Sequence, residues 1–170
     1  MPSRRTLLKA GGLIALGAVA GRTFAYPDVE LEYGVGTLHP ASDRVLAADA
    51  LGDGAHPAAF VRGDGTYLSG PDASEPVRRA LSESDTVRIV SRHRSTPDNP
   101  EGLFFRRVTW DGVWTLAVDA DVRPWSALDN VDGERGERLR SADELQYTTV
   151  WTLSTGLSGL PDPGVRVETR

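Results

Sequence analysis

The stretch Phe104-Phe105-Arg106-Arg107-Val108-Thr109-Trp110-Asp111-Gly112-Val113-Trp114-Thr115-Leu116-Ala117-Val118 constrains this chain more than any other. Two runs rich in β-branched and aromatic residues flank an Asp-Gly pair. That pair tolerates the positive φ angles of a type I′ turn, whose twist matches antiparallel strands. A two-residue turn at Asp111-Gly112 predicts that Trp110 faces Val113, Thr109 faces Trp114 and Val108 faces Thr115. One face then carries Phe105, Trp114, Leu116 and Val118, and the other Phe104, Val108 and Trp110. Both faces being partly apolar, the hairpin is expected in the middle of a sheet, covered on one side by a second sheet or a helix.

The remainder reads as short strands separated by turn residues. Val29-Glu30-Leu31-Glu32-Tyr33 alternates, with Val29, Leu31 and Tyr33 on one face. Residues 46–51 suit either strand or helix. Ala58 to Val61, a glycine-containing loop and Thr66 to Leu68 read as a second hairpin. Ser74 to Leu81 reads as a short helix, capped by Asp72 or Ser74 and with Pro76 in its first turn. Asp85 to Val90 is a strand with Val87 and Ile89 opposite Thr86, Arg88 and Val90. Residues 119–136, rich in Asp, Gly and Pro, predict a long loop or edge, residues 137–146 a short helix, and 148–153 and 165–168 further strands. With about eight candidate strands, the fold class expected is mainly β, an antiparallel sandwich or barrel with one or two short helices, with α+β as the alternative.

At 170 residues the chain fits one domain with a sizeable core. It contains no cysteine, which excludes disulfides, thiolate metal sites and a cysteine nucleophile. Lys9 is the only lysine; without Arg4, Arg5 and Lys9, 16 arginines face 24 acidic groups and the formal charge moves from −5 to −8. An acidic chain with no lysine beyond Lys9, many aspartates and two isoleucines resembles, in composition, proteins of salt-loving microbes. Such carboxylates hold hydration in brine, where screening removes their mutual repulsion. A nucleic-acid partner is not expected, because no basic stripe is present to displace counterions.

The N-terminal segment has a different character. Ser3-Arg4-Arg5-Thr6-Leu7-Leu8-Lys9 resembles the twin-arginine export motif, with Leu7 in place of the commoner phenylalanine. Ala10 to Gly21 follows as an uncharged run rich in small and apolar residues, about the length of a signal-peptide core and short of a membrane span of roughly 20 residues. Ala18-Val19-Ala20 and Thr23-Phe24-Ala25 offer small-residue cleavage sites after Ala20 or Ala25, the second being preferred. The competing reading is a first domain helix over 6–20. It is opposed by Gly11, Gly12 and Gly17, each costing about 1 kcal/mol in a helix interior, and by the missing polar face. Retention as an uncleaved anchor would need residues 23–26 to enter the lipid as well.

Residues 1–25 are therefore expected to be a signal peptide and residues 26–170 one β-rich exported domain. The resemblance implies the twin-arginine translocation machinery and a signal peptidase as partners, membrane contact only in transit, and a location outside the cell or in its envelope. That route carries folded proteins, some with a cofactor already loaded; no cofactor is assigned here.

Residues able to carry chemistry are few and scattered. His39, His56 and His93 match no local metal-ligand spacing, and His39-Pro40 and His56-Pro57 suggest extended surface turns. Asp119, Asp121, Asp129 and Asp132 fall close together. Aligning Gly133 with the glycine of a calcium loop nonetheless puts Leu128 and Leu139 where carboxylates are required. Arg62-Gly63-Asp64 spells an adhesion tripeptide that a turn explains, and Arg92-His93-Arg94 forms a local positive patch suited to an anion. Ser91, Ser95 and Ser154 lack a nucleophile elbow. No catalytic, cofactor or metal residue is assigned.

Two functions of different class remain: a non-catalytic cell-surface or extracellular binding or structural protein, which is favoured, and a small secreted hydrolase. They are separated by whether His93, an aspartate of residues 119–132 and a serine meet within hydrogen-bond reach.

Overall fold

The strand signal that begins at Val29 opens the longest of the described strands. In the computed structural model, which describes residues 26–47, 51, 54–126 and 128–170 without the side chain of Asp129, β1 spans Val29–Pro40. The export-motif residues Ser3, Arg4, Arg5, Leu7, Leu8 and Lys9, and the cleavage residues Ala20 and Ala25, lie outside the described residues.

β2 (Ala58–Arg62), a 3-10 turn (Thr66–Leu68), α1 (Glu75–Ser82) and β3 (Val87–Ser95) follow β1. The chain continues through β4 (Glu101–Asp111), β5 (Thr115–Pro124), a second 3-10 turn (Leu128–Asn130), α2 (Gly133–Arg140), β6 (Leu145–Thr155) and β7 (Gly164–Thr169). One antiparallel sheet has the order β1-β6-β3-β2, and a second has β4-β5-β7 with β7 parallel to β5. The expected mainly-β architecture with two short helices is observed, as two separate packed sheets and not a closed barrel.

Strand periodicity sorts the side chains into two cores. Leu38, Ile89, Leu145, Tyr147 and Leu153 of the first sheet meet Leu103, Phe105, Val108, Leu116 and Val118 of the second. On the opposite face of the first sheet, Val61, Val90 and Val150 pack under Val77, Ala80 and Leu81 of α1, which recur at helical spacing. Ser74 is the N-cap and Pro76 lies in the first turn, as expected.

Close approach between β1 and β6 depends on Gly34 and Gly36. A Cβ at Gly34 would strike the Trp151 indole, and one at Gly36 would strike the Tyr147 hydroxyl and ring, so both aromatic rings lie flat across glycine. At the same end, Phe104 and Trp125 close over Tyr147, with ring centres 5.5 and 5.3 Å away. Burial pushes the Tyr147 phenol up to about 12.

Several expectations are corrected. Asp111 pairs with Thr115 and Trp110 with Leu116, so the central hairpin turns through Gly112, Val113 and Trp114, and not through two residues. Trp114 adopts a left-handed φ of 59°, held by its contacts with Trp110, Tyr26 and the Pro161 carbonyl. Together with a bulge between Phe105 and Arg107, the changed register collects Phe105, Val108, Trp110, Leu116 and Val118 on one inner face. The outer face is charged, and β4 lies at the sheet edge. A bulge between Leu31 and Tyr33 likewise turns Tyr33 away from Leu31, towards Glu83.

β2 pairs with β3, and Thr66–Leu68 is a 3-10 turn in place of the hairpin's second strand. β5 runs on to Pro124 through what reads as loop, and the helix expected over 137–146 is displaced to Gly133–Arg140 because residues 145 and 146 enter β6.

Candidate functional site

The two sheets are joined by a tight turn, and a group of titratable side chains lies beside it. β3 ends at Ser95 in the first sheet and β4 starts at Glu101 in the second, with Thr96 and Asn99 bridged across the turn. Reversal within so few residues brings Glu101 back onto His93. The Glu101 Oε2 to His93 Nε2 distance is 3.1 Å, and Asn99 Nδ2 donates to the other carboxylate oxygen at 3.0 Å.

His56 arrives from a different direction. The β2–β3 register pairs Ala58 with Ser91, and continuing it by two residues sets His56 across from His93. Ser91 Oγ and the Arg92 amide both donate to the Pro57 carbonyl, at 2.9 and 3.1 Å, and fix that segment. The two Nδ1 atoms stand 3.2 Å apart. An ionised carboxylate only accepts, so Glu101 places a proton on His93 Nε2; in the neutral ring, His93 Nδ1 is then the acceptor for His56 Nδ1–H. Burial, then the neighbouring His93, holds His56 below its ordinary value. His93 is buried, whereas His56 is half-buried and lines a cavity of about 300 Å³ with Ala55, Pro57, Val165, Arg166 and Val167.

His39 does not join them. His93 shares its sheet face with Tyr147 and Ile89, whereas His39 pairs with Gln146 and points to the opposite face. It is buried, in place of the expected surface turn, and its Nδ1 and Nε2 lie 2.8 Å from the Pro40 carbonyl and 2.9 Å from Thr148 Oγ1. Burial lowers its pKa, while the Pro40 carbonyl and Asp43 act against that shift. It lines a separate cavity of about 240 Å³, in which Arg138 is paired with Asp43 at 2.6 Å.

The remaining candidates are occupied structurally. Asp119 and Asp121 lie on β5, on the outer face of the second sheet. Arg107 and Arg170 approach Asp119 at 2.9 and 3.5 Å, and Arg123 and Arg106 approach Asp121 at 2.6 and 3.4 Å. Hydrogen bonding by Arg123 holds the Asp121 carboxyl below its usual range. Asp132 is the N-cap of α2, so these acids form no common loop.

Arg62 ties down the β6–β7 connection through Asp162 and the Leu157 and Leu160 carbonyls, while Asp64 accepts from the Thr66 amide at 2.9 Å, which accounts for the adhesion-like tripeptide. Arg92 and Arg94 alternate with His93 onto the other sheet face, which splits the supposed positive patch; Arg94 lies 3.6 Å from Glu144. Ser154 is exposed on β6, and Ser95 Oγ is buried without a partner among the described residues.

Among the described side chains, the combination of His93, a residue 119–132 aspartate and a serine is therefore not assembled. Glu101 is the residue that sequence reasoning passed over. Its signal was local: Thr96-Pro97-Asp98-Asn99-Pro100 is a turn able to return a strand start to a histidine eight positions earlier.

Among the described residues, no helix is long and apolar enough to cross a membrane, and no set of three or more His, Asp or Glu side chains converges to hold a metal ion. Comparisons with family models, curated proteins and solved structures find no match.

Proposed function

We propose that the protein is an exported, non-catalytic binding module of the cell surface or its surroundings, delivered by the twin-arginine route and working in a salty medium. The observation that carries this reading is the outer face of the β4-β5-β7 sheet. There Arg106, Arg107, Arg123, Arg166 and Arg170 interleave with Asp111, Asp119, Asp121 and Glu168. Exposed pairs of this kind contribute little to stability. Three clusters of both signs, Arg107–Asp119–Arg170, Arg106–Asp121–Arg123 and Arg166 with Asp111 and Glu168, are thus better suited to a hydrated recognition surface than to stability. Ser3-Arg4-Arg5-Thr6-Leu7-Leu8-Lys9 and the acidic excess of the remaining chain support the export half.

The Glu101–His93–His56 chain favours a second reading, a small secreted hydrolase, because a carboxylate orienting an imidazole is the arrangement of a general base. The two readings are separated by assaying the exported protein against ester, peptide and glycoside substrates, with His93→Ala, shown by circular dichroism to be folded, as the control. The binding reading expects wild type and variant to be equally inactive. Turnover by the wild type that His93→Ala abolishes would replace it with the hydrolase. The intact mass of protein recovered outside the cell should correspond to a chain beginning at Gly21 or Tyr26; a chain that still carries residues 1–20 would contradict the leader.

A further inference from the structure

We infer that His56 and His93 form a two-imidazole site for a borderline divalent transition metal, with Glu101 as the carboxylate behind His93 and the cavity beside His56 supplying water for the remaining positions. The spacing of the two rings fits one ion. Two nitrogens each about 2.1 Å from one octahedral or tetrahedral ion stand roughly 3.0–3.4 Å apart, and the two Nδ1 atoms stand 3.2 Å apart. The ring centres are 5.1 Å apart, less than the roughly 5.5 Å that a straight N–H···N line of this length needs, so the nitrogens do not meet head-on.

The support behind the rings fits it as well. A metal-ligating imidazole donates its other N–H to a carboxylate, which fixes its tautomer and raises its basicity. Glu101 accepts from His93 Nε2, and Asn99 in turn orients Glu101. His93 therefore already presents a bare Nδ1. His56 needs only to carry its proton on Nε2 in place of Nδ1, after which both lone pairs are free for the ion.

Access and ligand type point the same way. His56 opens onto the cavity, where the Arg166 guanidinium is neutralised by Asp111 and Glu168. Two imidazoles, with no cysteine in the chain and no further carboxylate converging on them among the described residues, suit Cu²⁺, Ni²⁺ and Zn²⁺ over Ca²⁺ or Mg²⁺, with Cu²⁺ held most tightly.

The test is titration of the full chain with CuCl₂, followed by calorimetry and by the nitrogen hyperfine pattern in electron paramagnetic resonance. In parallel, ZnCl₂ is titrated against the imidazole nitrogens observed by NMR. The three histidines make the readout unambiguous, because His39 on the far sheet face is an internal control. Expected are one equivalent of Cu²⁺ with two nitrogen ligands, Zn²⁺-dependent shifts at Nδ1 of His56 and His93 but not His39, affinity at least tenfold lower in His56→Ala, and a roughly tenfold loss in Glu101→Gln. Half-buried His56 tolerates truncation where buried His93 threatens the fold, so His56→Ala, checked by circular dichroism, keeps the test decisive. Unchanged copper affinity in folded His56→Ala, equal shifts at His39, or no binding by the wild type would each overturn the site and leave a plain N–H···N hydrogen bond.

Discussion

Replacing Gly36 by alanine tests the packing that holds β1 to the centre of the first sheet. Gly36 pairs with Thr149, and its φ lies outside the left-handed region, so alanine meets no backbone penalty there. On conformational grounds alone the substitution would stabilise by about 0.4–1 kcal/mol through the unfolded chain. The added Cβ, however, would overlap the Tyr147 hydroxyl and Cζ and come within 2.7 Å of Cε1. Tyr147 has little room to retreat, because Phe104 and Trp125 wall it in at ring-centre distances of 5.5 and 5.3 Å.

Overpacking of this kind costs about 1–3 kcal/mol. For a chain of this length that lowers Tm by about 2–12 °C. Guanidinium titration followed by tryptophan fluorescence gives the free energy directly. A Tyr147→Phe background removes the nearest atom but keeps Cζ, so it should recover part of the loss and not all. A Gly36→Ala protein as stable as the wild type, or more so, would refute the close-approach argument.

Other perturbations follow from the same packing. Arg88 is fully buried and donates to the Gly63 carbonyl at 2.7 Å and to the Glu83 carbonyl, closing the end of α1. Arg88→Ala leaves both acceptors without that donor and should cost about 1–3 kcal/mol by chemical denaturation. Leu81→Ala should remove about 2–5 kcal/mol from the core under α1, measured the same way. Stability should also fall as pH drops. His39 and His56 have folded pKa values below the ordinary 6.5, so the unfolded chain binds more protons; their contribution is complete above 6.5 and is lost as pH falls towards the folded values. A His39→Gln protein should show a shallower loss between pH 7 and 5 in thermal scans; an unchanged slope would contradict the burial of that ring.

The parts of this architecture that could be read in advance are those set by local composition. Strand-forming runs, the proline-led α1 and the alternation of Val87 and Ile89 with Arg88 and Val90 all follow from residue type and spacing. The turn at Gly112–Trp114 did not, because it depends on a tryptophan in a left-handed conformation, which propensity argues against and which stacking on Tyr26 and a tilted contact with Trp110 uphold. The bulge at Leu31/Tyr33 was hidden for a similar reason, since one extra residue reverses the faces downstream.

The His56–His93 pairing was illegible because it rests on a strand register linking residues 37 apart. His39 was sent to the opposite face by the same alternation. Only Glu101 was within local reach, and a histidine-to-acid spacing across a turn carries little information until the turn is known to join two sheets.

The claim on which the functional account rests is delivery through the twin-arginine route, and the measurement that tests it most directly is the distribution of an Arg4→Lys, Arg5→Lys double variant between cytoplasm and exterior. The wild-type chain should be recovered outside the cell in a shortened form, while the double variant should stay inside at full length. Delivery of the double variant in the same amount and at the same mass as the wild type would contradict the account.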